Sequence, residues 1–142
     1  MYKDILLPID LAEASSWEKT LPTAINMCNT FNSKLHVMSV VPDFGSSLVG
    51  SFFPKGFEEK ALQETKKHLK QFVTDHVPDD IDVQRVIANG TVYDEILRVC
   101  DDVNIDLIIM SAHRPNLEDY LLGPNSARVV RHAKCSVFVV RN

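Results

Sequence analysis

The chain predicts an α/β fold: a single-domain, open, parallel five-stranded sheet with helices on both faces, spanning residues 1–142. Three observations lead there. Short apolar runs of strand length alternate with amphipathic stretches of helix length, in the order β-α-β-α-β-α-β-α-β. The run Leu107-Ile108-Ile109-Met110 is continuously apolar, the pattern of a strand buried on both faces. Gly123-Pro124-Asn125-Ser126 then opens a helix: glycine serves at an N-cap, and proline suits the first helical position, where its missing N–H would be unpaired anyway. Strands joined by helices in this way form right-handed crossovers.

Composition narrows the class. At 142 residues, 45% hydrophobic and 24% charged, the chain has the make-up of one soluble domain with a substantial core. A net charge of −4 argues against a general nucleic-acid or anionic-membrane binder, so any anion site must be built locally. No apolar run approaches the ~20 residues of a membrane span. Met1-Tyr2-Lys3-Asp4 lacks a signal peptide's apolar stretch, so a cytoplasmic location is expected. Cys28, Cys100 and Cys135 show no C-x-x-C spacing and read as free, buried thiols in a reducing compartment.

Taken in order, Ile5-Leu6-Leu7-Pro8-Ile9-Asp10 is a buried strand ending in a carboxylate, its paired part closing near Pro8, which has no N–H to donate. Ser15 and Glu18 form a Ser-x-x-Glu capping pattern ahead of Trp17, Leu21, Ala24, Ile25 and Cys28, a helix of about four turns. Leu35–Val41 is the second strand. The loop Pro42–Gly56, with Phe44, Phe52 and Phe53, is long for a compact domain and reads as a lid, a partner surface or a loop tucking one Phe inward. Phe57, Ala61, Leu62, Thr65, Leu69, Phe72 and Val73 mark a second helix whose outer face is solvated charge. Asp82–Ala88 alternates in polarity, as a strand nearer an edge does, and Asn89-Gly90 turns the chain. Thr91 and Asp94 cap a third helix with Tyr93, Ile96, Leu97 and Cys100 inside. Ala127, Val129, Val130 and Ala133 continue the last helix, and Cys135–Val140 closes the chain as a strand.

In such sheets ligands sit beyond the carboxyl ends of the strands, where the strand order reverses. The first and fourth strands are expected to flank that point, placing Pro8, Ile9 and Asp10 opposite Met110, Ser111 and His113, with Val40, Val41 and Ala88 alongside. A helix N-terminus nearby offers backbone N–H groups and a positive dipole end to an anion.

Met1–Asp10, Ser111-Ala112-His113-Arg114-Pro115, Tyr120–Ser126 and Val130–Val137 together resemble the universal stress protein family, closest to its F/G-type small bacterial members, over essentially the whole chain. The resemblance implies a Rossmann-like, adenine nucleotide alpha hydrolase-like fold, often dimeric through the last strand, with ATP or AMP as ligand and a role in stress response. Carried over by position, Pro8 and Asp10 line adenine and ribose, while Val40, Val41 and Ala88 border the base. Ser111, His113 and Arg114 start the phosphate loop, and Gly123, Asn125 and Ser126 close it. Ser111 and Arg114 stand where the family's ATP loop has glycine, the spacer is one residue shorter, and Pro124 replaces a hydroxyl residue.

Each assignment has a plainer counterpart. Asp10 can accept both ribose hydroxyls or simply cap the following turn. His113 and Arg114 can face phosphate, Arg114 with a fork of charged donors, or lie in solvent. Asn125 and Ser126 can touch phosphate or supply a second cap. His36 reads as a satisfied core residue, and His68 and His76 as members of a charged helix face. No His trio has zinc spacing, although Mg²⁺ can accompany ATP phosphates with few protein ligands. With no Walker lysine, nucleophile elbow or paired carboxylates, no residue is nominated as catalytic, and at most slow ATP hydrolysis or autophosphorylation is expected. The rival reading is a nucleotide-independent protein-interaction module on the same fold. Finally, Val137-Phe138-Val139-Val140 is apolar on both faces at a sheet edge, which predicts burial in a homodimer.

Overall fold

Five strands, β1 (Asp4–Pro8), β2 (Lys34–Val41), β3 (Val83–Asn89), β4 (Leu107–Ser111) and β5 (Ser136–Val140), form one sheet in the order β3-β2-β1-β4-β5. All pairs are parallel. This is a computed structural model, and it describes residues 1–42, 56–112 and 122–141. The phenylalanine-bearing loop after Pro42 lies outside the described residues. Strand order reverses between β1 and β4, as the alternation predicts, and β3 and β5 are the two edges.

The period-2 geometry of a strand sends neighbouring side chains to opposite faces, and here both faces are core. Ile5, Leu7, Leu35, Val37, Leu107 and Ile109 pack beneath helices α1 (Thr20–Phe31) and α2 (Phe57–His76). Leu6, Met38, Ile108 and Met110 pack on the other side, against α3 (Val92–Val103) and α4 (Pro124–His132). Ile5, Leu6 and Leu7 are fully buried. Truncating any of them to alanine would cost about 2–5 kcal/mol, the lost transfer free energy plus a cavity.

At the amino end of the strands, polar groups fix the register. The Asp106 carboxylate accepts the backbone N–H groups of Lys3 (2.9 Å) and Asp4 (3.1 Å). His36, 2% exposed, is bridged by Gln84 at Nδ1 (2.7 Å) and Asp4 at Nε2 (2.9 Å), so both ring nitrogens are satisfied, as expected of a core histidine.

Helix termini depart from the sequence reading. The pattern at Ser15 and Glu18 does not cap α1. A short 3₁₀ turn spans Ala14–Ser16 and α1 begins at Thr20, preceded by Lys19 without a side-chain cap. Thr91 stands at the N-cap of α3 in an extended conformation, but its side chain makes no capping bond; Glu95 instead engages Arg98. Both α1 and α3 stop through an asparagine in the left-handed region, Asn32 (φ 55°) and Asn104 (φ 58°). The N–H groups of Ser33 and Ile105 then bond back to the carbonyls of Cys28 and Cys100, the 6→1 closure that absorbs helix-end carbonyls. His76 is not merely part of a charged face: its ring lies 4.8 Å from that of Trp17, which also meets Phe72 edge-on at 5.1 Å, tying the β1–α1 connection to α2.

Candidate functional site

The carboxyl tips of β1, β2 and β4 and the first turn of α4 surround a cavity of ≈ 520 Å³, within the range of small-molecule sites. Of the residues expected there, Pro8, Ile9, Asp10 and Val40 line one side. Met110, Ser111, Gly123, Pro124, Asn125 and Ser126 line the other. Val41 and Ala88 do not reach it: Val41 follows Val40 and so faces the opposite side of the sheet, while Ala88, beside Val40 on the same face, is buried against Ile96 and Met110. His113 and Arg114 lie outside the described residues.

Asp10 is exposed and held at a defined angle. Its Oδ1 accepts the N–H of Ala12 at 3.0 Å, the turn-capping role anticipated as the plainer reading. The second oxygen takes no hydrogen bond from any described residue. Ser16 fixes the backbone beneath it: its hydroxyl accepts the Asp10 N–H (2.9 Å) and shares its proton between the carbonyls of Glu13 (2.7 Å) and Asp10 (3.0 Å). The loop thus holds one carboxylate oxygen in use and the other open.

Across the cavity, α4 starts from Gly123 (φ −61°, ψ 158°) with Pro124 at the first helical position and no side-chain cap. An α-helix leaves its first N–H groups without intrahelical acceptors. Pro124 has none, so the open donors are the amides of Asn125 and Ser126, which bond no described residue. The Ser126 hydroxyl is committed elsewhere, donating to the Ser111 carbonyl at 2.7 Å. That bond holds the helix to the strand tip. Arg128 stacks its guanidinium 4.5 Å above the Tyr93 ring, seating α4 on α3.

Glu13, Ser15, Ser16, Ser39, Pro42, Val92 and Ile96 also line the cavity, unanticipated from sequence. A signal existed for two of them: Val92 and Ile96 are an i, i+4 apolar pair at the start of a helix that follows a strand, and so fall at the carboxyl end of the sheet. Among the described residues no cluster of three or more His, Cys, Asp or Glu side chains is placed to hold a metal.

This arrangement, an acceptor at the tip of the first strand opposite a helix N-terminus after the fourth, is matched at the level of the whole sequence. Residues 1–141 match the model of the universal stress protein family. The chain belongs to the universal stress protein family. Universal stress protein G of Escherichia coli O157:H7 is 27% identical over 143 residues, covering 99% of this chain and 100% of that protein. The solved structure of universal stress protein MJ0577 of Methanocaldococcus jannaschii superposes with a TM-score of 0.75 at 25% identity, covering 100% of this chain and 97% of that one. A universal stress protein from Archaeoglobus fulgidus, solved in complex with dAMP, has a TM-score of 0.71 at 16% identity over 99% of this chain and 98% of that one. The Rossmann-like sheet is thus a shared property of the family. No helix among the described residues is long and apolar enough to cross a membrane.

Proposed function

We propose that the cavity binds an adenine nucleotide, ATP or AMP, and that this universal stress protein acts in a cytoplasmic stress response through nucleotide occupancy rather than fast chemistry. The observation that carries the reading is the pairing of the open Asp10 oxygen with the unclaimed amides of Asn125 and Ser126 around one cavity. A carboxylate accepts two ribose hydroxyls, and a helix N-terminus binds phosphate through its N–H groups and dipole. Pro8, Ile9, Val40 and Met110 provide apolar contact for the base, with Val41 and Ala88 supporting that wall from within. Ser111 and Gly123 border the phosphate side, where His113 and Arg114 add charged donors. Mg²⁺, when present, rides on phosphate oxygens and water. The dAMP complex of the Archaeoglobus relative supports an adenylate as ligand. We propose a homodimer across β5, the open edge strand on which Phe138 is 43% exposed, with Val130 on α4 also exposed at 45%.

A second reading, docking without nucleotide, is favoured by Pro124 and by the committed Ser126 hydroxyl, which together remove two phosphate donors. Calorimetric titration with ATP and AMP separates the two. Saturable heat is expected, reduced about tenfold or more in affinity by Asp10→Asn, which keeps the turn but loses the charged acceptor. A 2′,3′-dideoxy adenine nucleotide should bind wild type and Asp10→Asn alike. Absence of heat and of thermal shift with either nucleotide would overturn the nucleotide reading and favour the docking module.

A further inference from the structure

Away from the cavity, α2 and β3 enclose a groove of ≈ 320 Å³ at the open edge of the sheet. Its floor is apolar, with Leu69 fully buried and Leu62 and Ile87 half-buried. Gln63, Lys66 and Arg85 form its exposed rim, and among the described residues no carboxylate lines it. Neither Lys66 nor Arg85 makes an ion pair or hydrogen bond with any described residue. Elsewhere on the surface the pattern differs: Arg98 on α3 is held by Glu95 and Asp102 at 2.9 Å each.

The backbone beside the groove is unpaired too. At one end of the β2–β3 ladder the Asp82 carbonyl accepts from Leu35, and at the other Gly90 donates to Val41. In a parallel pair, a residue's N–H and C=O point to the same side and alternate along the strand. Asp82, Gln84, Val86, Ala88 and Gly90 therefore face β2. Val83, Arg85 and Ile87 turn their N–H and C=O groups outward, where no described strand meets them. The outward backbone groups belong to the same residues, Arg85 and Ile87, whose side chains line the groove.

We infer that this edge is a docking site for an extended segment of a partner protein, added as a sixth strand beside β3, whose every second side chain faces the groove and is by turns apolar and acidic, the residues between facing the opposite side of the sheet. Main-chain hydrogen bonds supply affinity and the groove receives alternate side chains, the logic of strand addition. Apolar side chains would rest on Leu62, Leu69 and Ile87, and carboxylates would meet Lys66 and Arg85. Charge selects against a second copy of this chain, since joining two β3 edges brings like cations together.

The test uses a fluorescein-labelled eight-residue peptide, Thr-Val-Thr-Glu repeated twice so that valine and glutamate share one face, followed by anisotropy on the full chain. Saturable binding is expected, weakened about tenfold by Arg85→Glu or Lys66→Glu. Binding should be abolished when alternate peptide nitrogens are methylated, and left unchanged by ATP. Both substitutions are at exposed positions, and circular dichroism verifies the fold. The inference is overturned by absence of saturable binding, by equal binding of the same peptide with lysine in place of glutamate, by indifference to N-methylation, or by a wild-type chain that self-associates through β3 and loses that association in Arg85→Glu. None of these outcomes bears on nucleotide binding at the strand tips.

Discussion

Ser126, 3% exposed on α4, donates its hydroxyl proton to the backbone carbonyl of Ser111 at the tip of β4, 2.7 Å away. One buried hydrogen bond thus sets the distance between a strand end and the helix whose free amides face the cavity. Ser126→Ala removes that hydrogen bond and should lower stability by about 0.5–1.5 kcal/mol. Nucleotide affinity should fall with it, because the amides of Asn125 and Ser126 lose their fixed position. Urea denaturation and calorimetry on the same sample check this. A lost affinity with unchanged stability would instead mean that the hydroxyl meets phosphate directly.

Asp4 and His36 lie at the opposite end of the sheet from Asp10. Asp4→Ala removes the acceptor of His36 Nε2 and leaves a buried ring nitrogen unsatisfied, at a cost of about 1–3 kcal/mol. Denaturation midpoints should drop, while affinity for ATP stays unchanged.

Burial pushes the Cys28 thiol from 9.0 up to about 11. Burial also raises Cys100 from 9.0 to about 12, with the adjacent Cys135 adding to the effect. Both groups bind their protons more tightly folded than unfolded, so their stabilising contribution is complete below pH 9 and is lost as pH rises toward 11–12. Denaturation midpoints measured from pH 8 to pH 10.5 should therefore fall across the upper part of that window. At pH 8 a thiol-specific disulfide reagent should leave Cys28 and Cys100 unmodified in the native chain and label them after unfolding in guanidinium, because only the thiolate attacks.

Phe138→Asp tests the assembly proposed for β5. A charge on that exposed edge should convert a dimer to monomer by light scattering at micromolar concentration, with little change in monomer stability. A wild-type chain that is monomeric under those conditions would remove the dimer from the reading.

Local periodicity made most of the fold legible. Ile5, Leu6 and Leu7 announce a strand with core on both sides, and the alternating polarity from Asp82 to Ala88 announces an edge. Asp10 at a strand end and Gly123-Pro124 at a helix start, both singled out from the sequence, lie on two walls of one cavity. Failures came where partners distant in sequence compete for a group. Ser15 and Glu18 match a capping pattern, yet the neighbouring Ser16 is drawn into the Asp10 loop and α1 starts later. Cys100 and Cys135 look isolated along the chain but the fold brings them close enough for each to shift the other's thiol.

What the amino-acid order alone determined is the alternation of strand and helix, the reversal between β1 and β4, and hence the end of the sheet where a ligand can sit. These follow from side-chain period and connection length, which are properties of neighbours along the chain. Tertiary structure decided which oxygen of Asp10 stays open, that the Ser126 hydroxyl braces α4 against the tip of β4, that Val41 and Ala88 stay out of the cavity, and that Lys66 and Arg85 share a groove at the open edge. Each of these depends on which donors and acceptors are brought within about 3 Å of one another, and only the packed sheet and helices set those distances.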